Sequence, residues 1–190
     1  MERKLAIITG ADGGMGMEIT RAVAREGYVV IMACCSLSKA EPKCRELAKE
    51  TGNKNMEVWE IDLASLASVK TFANRVLQRN TSIALLMNNA GTMETGLHIT
   101  EDGLERTVSV NYVGPCLLTR LLLPLMGQGT RIVNMVSCTY AIGKLDFPDF
   151  FLRGKRGNFW RIPVYSNTKL ALLLFTFELA ERLRVRGITV

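Results

Sequence analysis

Residues 4–16, "KLAIITGADGGMG", decide the fold. An apolar run, residues 4–9, ends in a turn with glycine at 10, 13, 14 and 16, and a helical pattern follows from about Met15 to Glu26. A short continuous apolar run closed by glycine reads as a strand buried on both faces. Gly27 stands where a helix stop is expected. A helix opening straight from a glycine turn presents unpaired N–H groups, a ready site for phosphate. Within the turn, Gly10 permits the tight bend, Gly14 lets the backbone approach a pyrophosphate, and Gly16 lets helix and sheet pack closely. Dinucleotide binding is therefore expected through Gly10, Asp12, Gly13, Gly14, Met15 and Gly16. Asp12 also reads as a turn-former.

The alternation continues along the chain. "YVVIMAC", "MEVWEIDL", "IALLMNNAG" and "TRIVNMVS" read as further strands, and "ITV" at the end begins a sixth. Helices are expected over residues 38–51, with Pro42 near the start, over 65–78 with Ser65 as N-cap, within 100–126, and over 164–185. Pro115 falls inside the fourth helical region, where it costs a hydrogen bond or marks a kink. Strand–helix alternation with apolar strands predicts a three-layer α/β/α fold. Right-handed crossovers make this a doubly wound parallel sheet of Rossmann type. Residues 1–190 form one domain with an irregular insertion at about 139–163. Ligands of such sheets lie at the carboxyl ends of the strands, where the unusual polar motifs of this chain also fall.

Composition excludes several classes. At 190 residues, 48% hydrophobic and 22% charged, the chain suits a single soluble domain. Its apolar runs are shorter than the ~20 residues of a membrane span, and the N-terminus lacks a signal-peptide core, so a cytoplasmic protein without a span is expected. Five cysteines without a CxxC pair suggest buried free thiols, neither a disulfide framework nor a metal site. The single histidine, His98, disfavours Ser-His-Asp chemistry and histidine-rich metal ligation. The net charge of +6 lies in residues 151–190, which hold eight Lys/Arg and two Glu. No aromatic platform or recognition helix accompanies that charge, so nucleic acid is not the expected partner. Met93, Met126 and Met135 read as core or pocket filler.

"YSNTK", residues 165–169, pairs Tyr165 with Lys169 one helical turn later. Such a pair is either a surface neighbour contact or a device for lowering the tyrosine pKa. With the turn "TGADGGMG", "IDLAS" (61–65), "NNAG" (88–91), "SVNYVGPCLLT" (109–119) and "RIVNMVS" (131–137), it makes the chain resemble the short-chain dehydrogenase/reductase family along its whole length. "GKLDF" and "KLALLLFTFELAERL" are similar to the retinol-dehydrogenase-like and WW-domain-oxidoreductase-like branch. The resemblance implies that Asp62 and Leu63 border an adenine, and that Asn89, Ala90 and Gly91 line the cofactor cleft. It implies Asn111, Ser137, Tyr165 and Lys169 as the catalytic set.

In that set Tyr165 gives the proton that carbonyl reduction needs, while a nicotinamide carries the hydride. A free tyrosine titrates near ~10, and the Lys169 ammonium favours its phenolate. Lys169 also holds the nicotinamide ribose, Ser137 hydrogen-bonds the substrate oxygen, and Asn111 orients Lys169 through a water. Relatives that use NADP carry arginine just after the second strand, and NAD users an aspartate. Here that place is Cys35, with no carboxylate before Glu41. Cys35, Ser36, Ser38 and Lys39 are then the candidates near the 2′-position, and NADP is favoured over NAD. The family continues beyond the position of Val190 with a Pro-Gly turn, a substrate-covering loop and a seventh strand. The leading expectation is an NAD(P)-dependent oxidoreductase of a small-molecule carbonyl or alcohol. The alternative is a dinucleotide-binding regulatory or scaffold protein without turnover. Apolar residues on two faces of the helices at 112–126 and 164–185 predict a homodimer through that pair.

Overall fold

In the computed structural model, which describes residues 4–149 and 159–190, five parallel strands form one sheet. They are β1 (Leu5–Thr9), β2 (Val29–Cys34), β3 (Met56–Glu60), β4 (Ile83–Asn88) and β5 (Arg131–Asn134), in the order β3-β2-β1-β4-β5. The order reverses between β1 and β4, so the crevice of a doubly wound sheet opens there. The expected sixth strand begins beside β5. Ile132 N–H donates to Thr189 O at 2.8 Å and Thr189 N–H to Thr130 O at 3.0 Å.

Strand residues alternate between two cores. Leu5, Ile7 and Ile31 face α3 (Leu66–Arg79), α5 (Gly114–Leu122) and α6 (Arg161–Leu183) through Phe72, Leu118 and Leu179. Ile8, Val30 and Met32 face α1 (Gly14–Arg25) and α2 (Leu37–Thr51) through Ala24, Ala40 and Leu47. Both faces of the sheet are thus covered, which is why its strands read as continuous apolar runs. Gly27 ends α1 at φ +77°, and Ser65 Oγ caps α3 by accepting the Ser68 N–H at 3.3 Å. Both match the sequence reading.

Several elements depart from it. α6 starts at Arg161, because Pro163 lies in the first turn, where no intrahelical N–H is needed. Pro42 sits well inside α2 rather than near its start, on an exposed position. Pro115 follows a π-helical turn, Ser109–Val113, that separates the short α4 (Arg106–Val108) from α5. Gly114 N–H closes that turn onto Ser109 O, and Pro115 has no N–H to offer the Asn111 carbonyl four residues back. The continuous helical stretch 106–125 is, among the described residues, long and apolar enough to cross a membrane by length and composition. It joins apolar runs that are each shorter than a span. Leu118, Thr119 and Leu122 on this stretch are fully buried.

The expected insertion holds short 3-10 turns at Cys138–Ile142 and Phe147–Asp149, while residues 150–158 of it lie outside the described residues. Cys34 and Cys44 are buried as expected, but Cys35 and Cys138 are exposed because they follow β2 and β5 at the open carboxyl edge of the sheet. Met126 is core, whereas Met93 is 38% exposed. Part of the basic C-terminal charge has internal work. Arg186 donates to the carbonyls of Leu123 and Met126, and Arg182 and Arg184 pair with Glu178 and Glu181.

Candidate active site

Thr9 ends β1 and ties it to β4. Its hydroxyl accepts the N–H groups of Asn89 and Ala90, both at 3.1 Å, and Asn89 Nδ2 returns bonds to Thr9 O and Gly10 O at 3.1 and 3.2 Å. Space here is tight. A Cβ on Gly10, at φ +60°, would lie 3.0 Å from Ala90 Cα, and one on Gly16 would lie 2.0 Å from Gly10 O. Gly14 is different, with nothing within 4 Å of its missing Cβ. Gly13 caps α1 without a side-chain bond, so the first N–H groups of the helix point into open space.

That space is a cleft of about 450 Å³ between the ends of β1, β2, β3 and β4. Gly10, Asp12, Gly13, Gly14, Met15, Gly16, Cys35, Asp62, Leu63, Asn89, Ala90 and Gly91 all line it. Ser36 and Lys39 are not among the lining residues. Ser36 Oγ pairs with Ser38 Oγ at 3.2 Å, and Lys39 is exposed. Asp62 keeps one carboxylate oxygen on the Ala64 N–H at 2.8 Å. Asn89 Oδ1 is buried with no hydrogen-bond partner. An orphan acceptor, open helix N–H groups and a side-chain-free cradle at Gly14 fit an elongated anionic ligand that carries hydroxyl groups, such as a dinucleotide.

Three of the predicted catalytic residues, Asn111, Tyr165 and Lys169, gather beyond Gly91. A Cβ there would meet Asn111 Oδ1 at 3.4 Å and Lys169 Nζ at 3.5 Å. Lys169 is only 3% exposed, which rejects the surface-pair reading of "YSNTK". Its Nζ lies 5.5 Å from the centre of the Tyr165 ring and donates to Met135 O at 2.8 Å. Burial pushes the Lys169 ammonium down to a pKa of about 8. Asn111 is fully buried and does not bond Lys169 directly. It accepts the Thr92 N–H at 2.8 Å and donates Nδ2 to Thr92 O at 2.8 Å and to Thr168 Oγ1 at 3.2 Å. Thr168 Oγ1 in turn donates to Tyr165 O at 2.7 Å. Asn111 therefore clamps the turn after β4 to the helical turn that bears Tyr165 and Lys169.

Ser137 follows β5 on the turn that packs against α6. Its Oγ accepts the Thr139 N–H at 3.3 Å and the Thr139 hydroxyl at 3.1 Å, which leaves its own hydrogen free to donate. Gly143 permits that packing, since a Cβ there would lie 2.7 Å from Ser166 O. Thr9, Thr92, Thr168 and Gly143 escaped the sequence reading. Arg106, paired with Glu94 at 3.3 Å, also lines the cleft and was not anticipated.

The fold and cleft define a dinucleotide-binding domain of Rossmann type. The chain belongs to the short-chain dehydrogenase/reductase family, whose short chain dehydrogenase model matches residues 4–148. Within it, the chain falls in the retinol-dehydrogenase-like branch. It is 36% identical over 189 residues to human retinol dehydrogenase 13, a match that covers 98% of this chain and 56% of that one. The chain thus spans little more than half the length of the curated relatives it matches. A solved protein of Mycobacterium paratuberculosis is 35% identical with a TM-score of 0.86, covering 98% of this chain and 66% of that chain. A blue fluorescent protein from a metagenomic library, solved in complex with NADPH, is 27% identical with a TM-score of 0.77, covering 100% and 72%.

Two predictions follow from the geometry. Gly14→Ala is expected to leave urea stability nearly unchanged while weakening dinucleotide binding, whereas Gly16→Ala is expected to lose about 1–3 kcal/mol or fail to fold. Equal effects of the two substitutions in denaturation and binding titrations would contradict the roles assigned. The second concerns Lys169. Its folded pKa of about 8 lies below the ordinary 10.5, so the unfolded state holds more protons between those values. Stability from this group therefore rises with pH across that window, the cost of the buried ammonium being fully present below it. Wild-type stability is expected to rise relative to that of Lys169→Met from pH 8 to 10.5, and a flat difference would refute the assignment.

Proposed function

We propose that the protein is an NADP(H)-dependent oxidoreductase that interconverts a small-molecule carbonyl and the corresponding alcohol. The observation that carries this reading is the buried Lys169 ammonium beside the Tyr165 ring, next to Gly91 at the end of the cleft. The nicotinamide supplies or accepts the hydride. Tyr165 gives its hydroxyl proton to the substrate oxygen in reduction and takes it back in oxidation. Lys169 favours the phenolate by its charge, and the free hydrogen of Ser137 holds the substrate oxygen. Asn111 keeps Tyr165 and Lys169 in register with the cleft through Thr92 and Thr168.

NADP(H) is favoured over NAD(H) by the lack of an acid at Cys35, where it would repel a 2′-phosphate, and by the NADPH held by the metagenomic relative. The name of the human relative supports an alcohol–aldehyde pair as the substrate class without singling out a retinoid. A cytoplasmic setting belongs to the same proposal, supported by five free cysteines. A homodimer through α5 and α6 is also proposed, since Leu174 and Phe177 on α6 are 48% and 64% exposed. Light scattering is expected to return twice the chain mass, and a monomer at micromolar concentration would reject the dimer.

Tyr165→Phe is expected to lower turnover by ~10²–10⁴-fold or more while leaving dinucleotide affinity nearly intact, because only the hydroxyl is lost. Paired kinetic and binding assays check this. Wild-type turnover in the Phe variant would overturn the acid/base role.

A further inference from the structure

One lysine of α2, outside the cleft lining, turns back onto the glycine turn that walls the cleft. Lysines on amphipathic helices usually extend along the surface and keep the ammonium solvated. Lys43 is half-buried, and its Nζ donates to the carbonyl oxygen of Asp12 in the glycine turn at 2.6 Å, a contact across 31 residues of sequence. Asp12 lines the cleft together with Gly13 and Cys35, at the side between β1 and β2. One of the three ammonium donors is thereby used on the backbone, and two remain.

The charges around this corner are few. Cys35 supplies neither the arginine nor the aspartate expected after β2, and the Ser36 and Ser38 hydroxyls pair with each other. The Asp12 carboxylate stands beside the Cys34 thiol, whose titration burial and that neighbour push up to about 12. A 2′-phosphate entering here would meet one carboxylate, and it needs a fixed cation to outweigh it. Lys39 stands exposed at the start of α2, whereas Lys43 is held in place by its bond to the turn.

Building on the NADP(H) reading, we propose that Lys43 is the cation that recognises the 2′-phosphate of the cofactor, fixed at that corner by its bond to Asp12, and that the Asp12 carboxylate opposes it. The chain thus replaces an arginine at the strand end with a lysine brought from the second turn of the next helix. The preference for the phosphate is set by the balance of these two side chains.

Isothermal titration with 2′,5′-ADP and with 5′-ADP tests this without turnover. Lys43→Met is expected to weaken 2′,5′-ADP about tenfold and leave 5′-ADP within about twofold, the size of one partly exposed charge-assisted contact. Lys43→Arg is expected to retain the preference, and Asp12→Asn to increase it. Equal weakening of both nucleotides by Lys43→Met would make Lys43 a structural prop of the turn and overturn the proposal, as would no change in either. Wild-type protein that binds 5′-ADP as tightly as 2′,5′-ADP would instead overturn the NADP(H) reading on which the proposal rests. Binding of neither would overturn dinucleotide binding itself.

Discussion

The 2.0 Å that would separate a Gly16 Cβ from Gly10 O is the constraint on which the rest of the site depends. α1 can leave β1 this closely only if no side chain intervenes. The same approach brings Gly10 against Ala90, so the end of β4 is fixed against the end of β1. The Thr9 and Asn89 bonds close the junction from both sides. The outcome is a backbone-walled cleft at the reversal point of the sheet, with helix N–H groups at its floor and no side chain at Gly14 to fill it.

From that junction the geometry passes to the chemistry through Asn111. The turn after β4 carries Gly91 and Thr92, and Asn111 grips Thr92 by both backbone groups. Its remaining amide hydrogen reaches Thr168, which sits between Tyr165 and Lys169. The π-helical turn and Pro115 break the regular helix where Asn111 must project, and Gly114 lets that turn lie against Leu63 O, which a Cβ would approach to 2.7 Å. Pro115, without evident purpose in the sequence, thus falls where the π-helical turn already breaks the α-helical ladder. Cofactor cleft and tyrosine–lysine pair are therefore parts of one connected unit. Displacing β4 relative to β1 would move both.

What was legible in the sequence was what depends on local spacing. The glycine turn follows its strand directly, each glycine having a short-range reason. Tyr165 and Lys169 share a face by helix periodicity alone. Gly27 and Ser65 mark helix ends by chemistry within a few residues. The contacts that stayed hidden join residues far apart in the chain, such as Lys43 with Asp12, or Asn111 with Thr92 and Thr168. No periodicity announces a side chain that bonds a distant backbone carbonyl. α6 starts at Arg161, ahead of the expected residue 164, because its first turn accommodates Pro163. Cys35 and Cys138 departed from the expected burial because composition does not distinguish a strand interior from a strand end.

The central claim is that the cleft delivers a nicotinamide to Tyr165 and Lys169. A crystal structure of the protein grown with NADP⁺ tests it most directly. The account predicts the pyrophosphate against the N–H groups at Gly14 to Gly16, and the nicotinamide ribose hydroxyls within hydrogen-bond reach of Lys169 Nζ. A dinucleotide bound with its nicotinamide away from Gly91, or a cleft left empty at saturating cofactor, would contradict it.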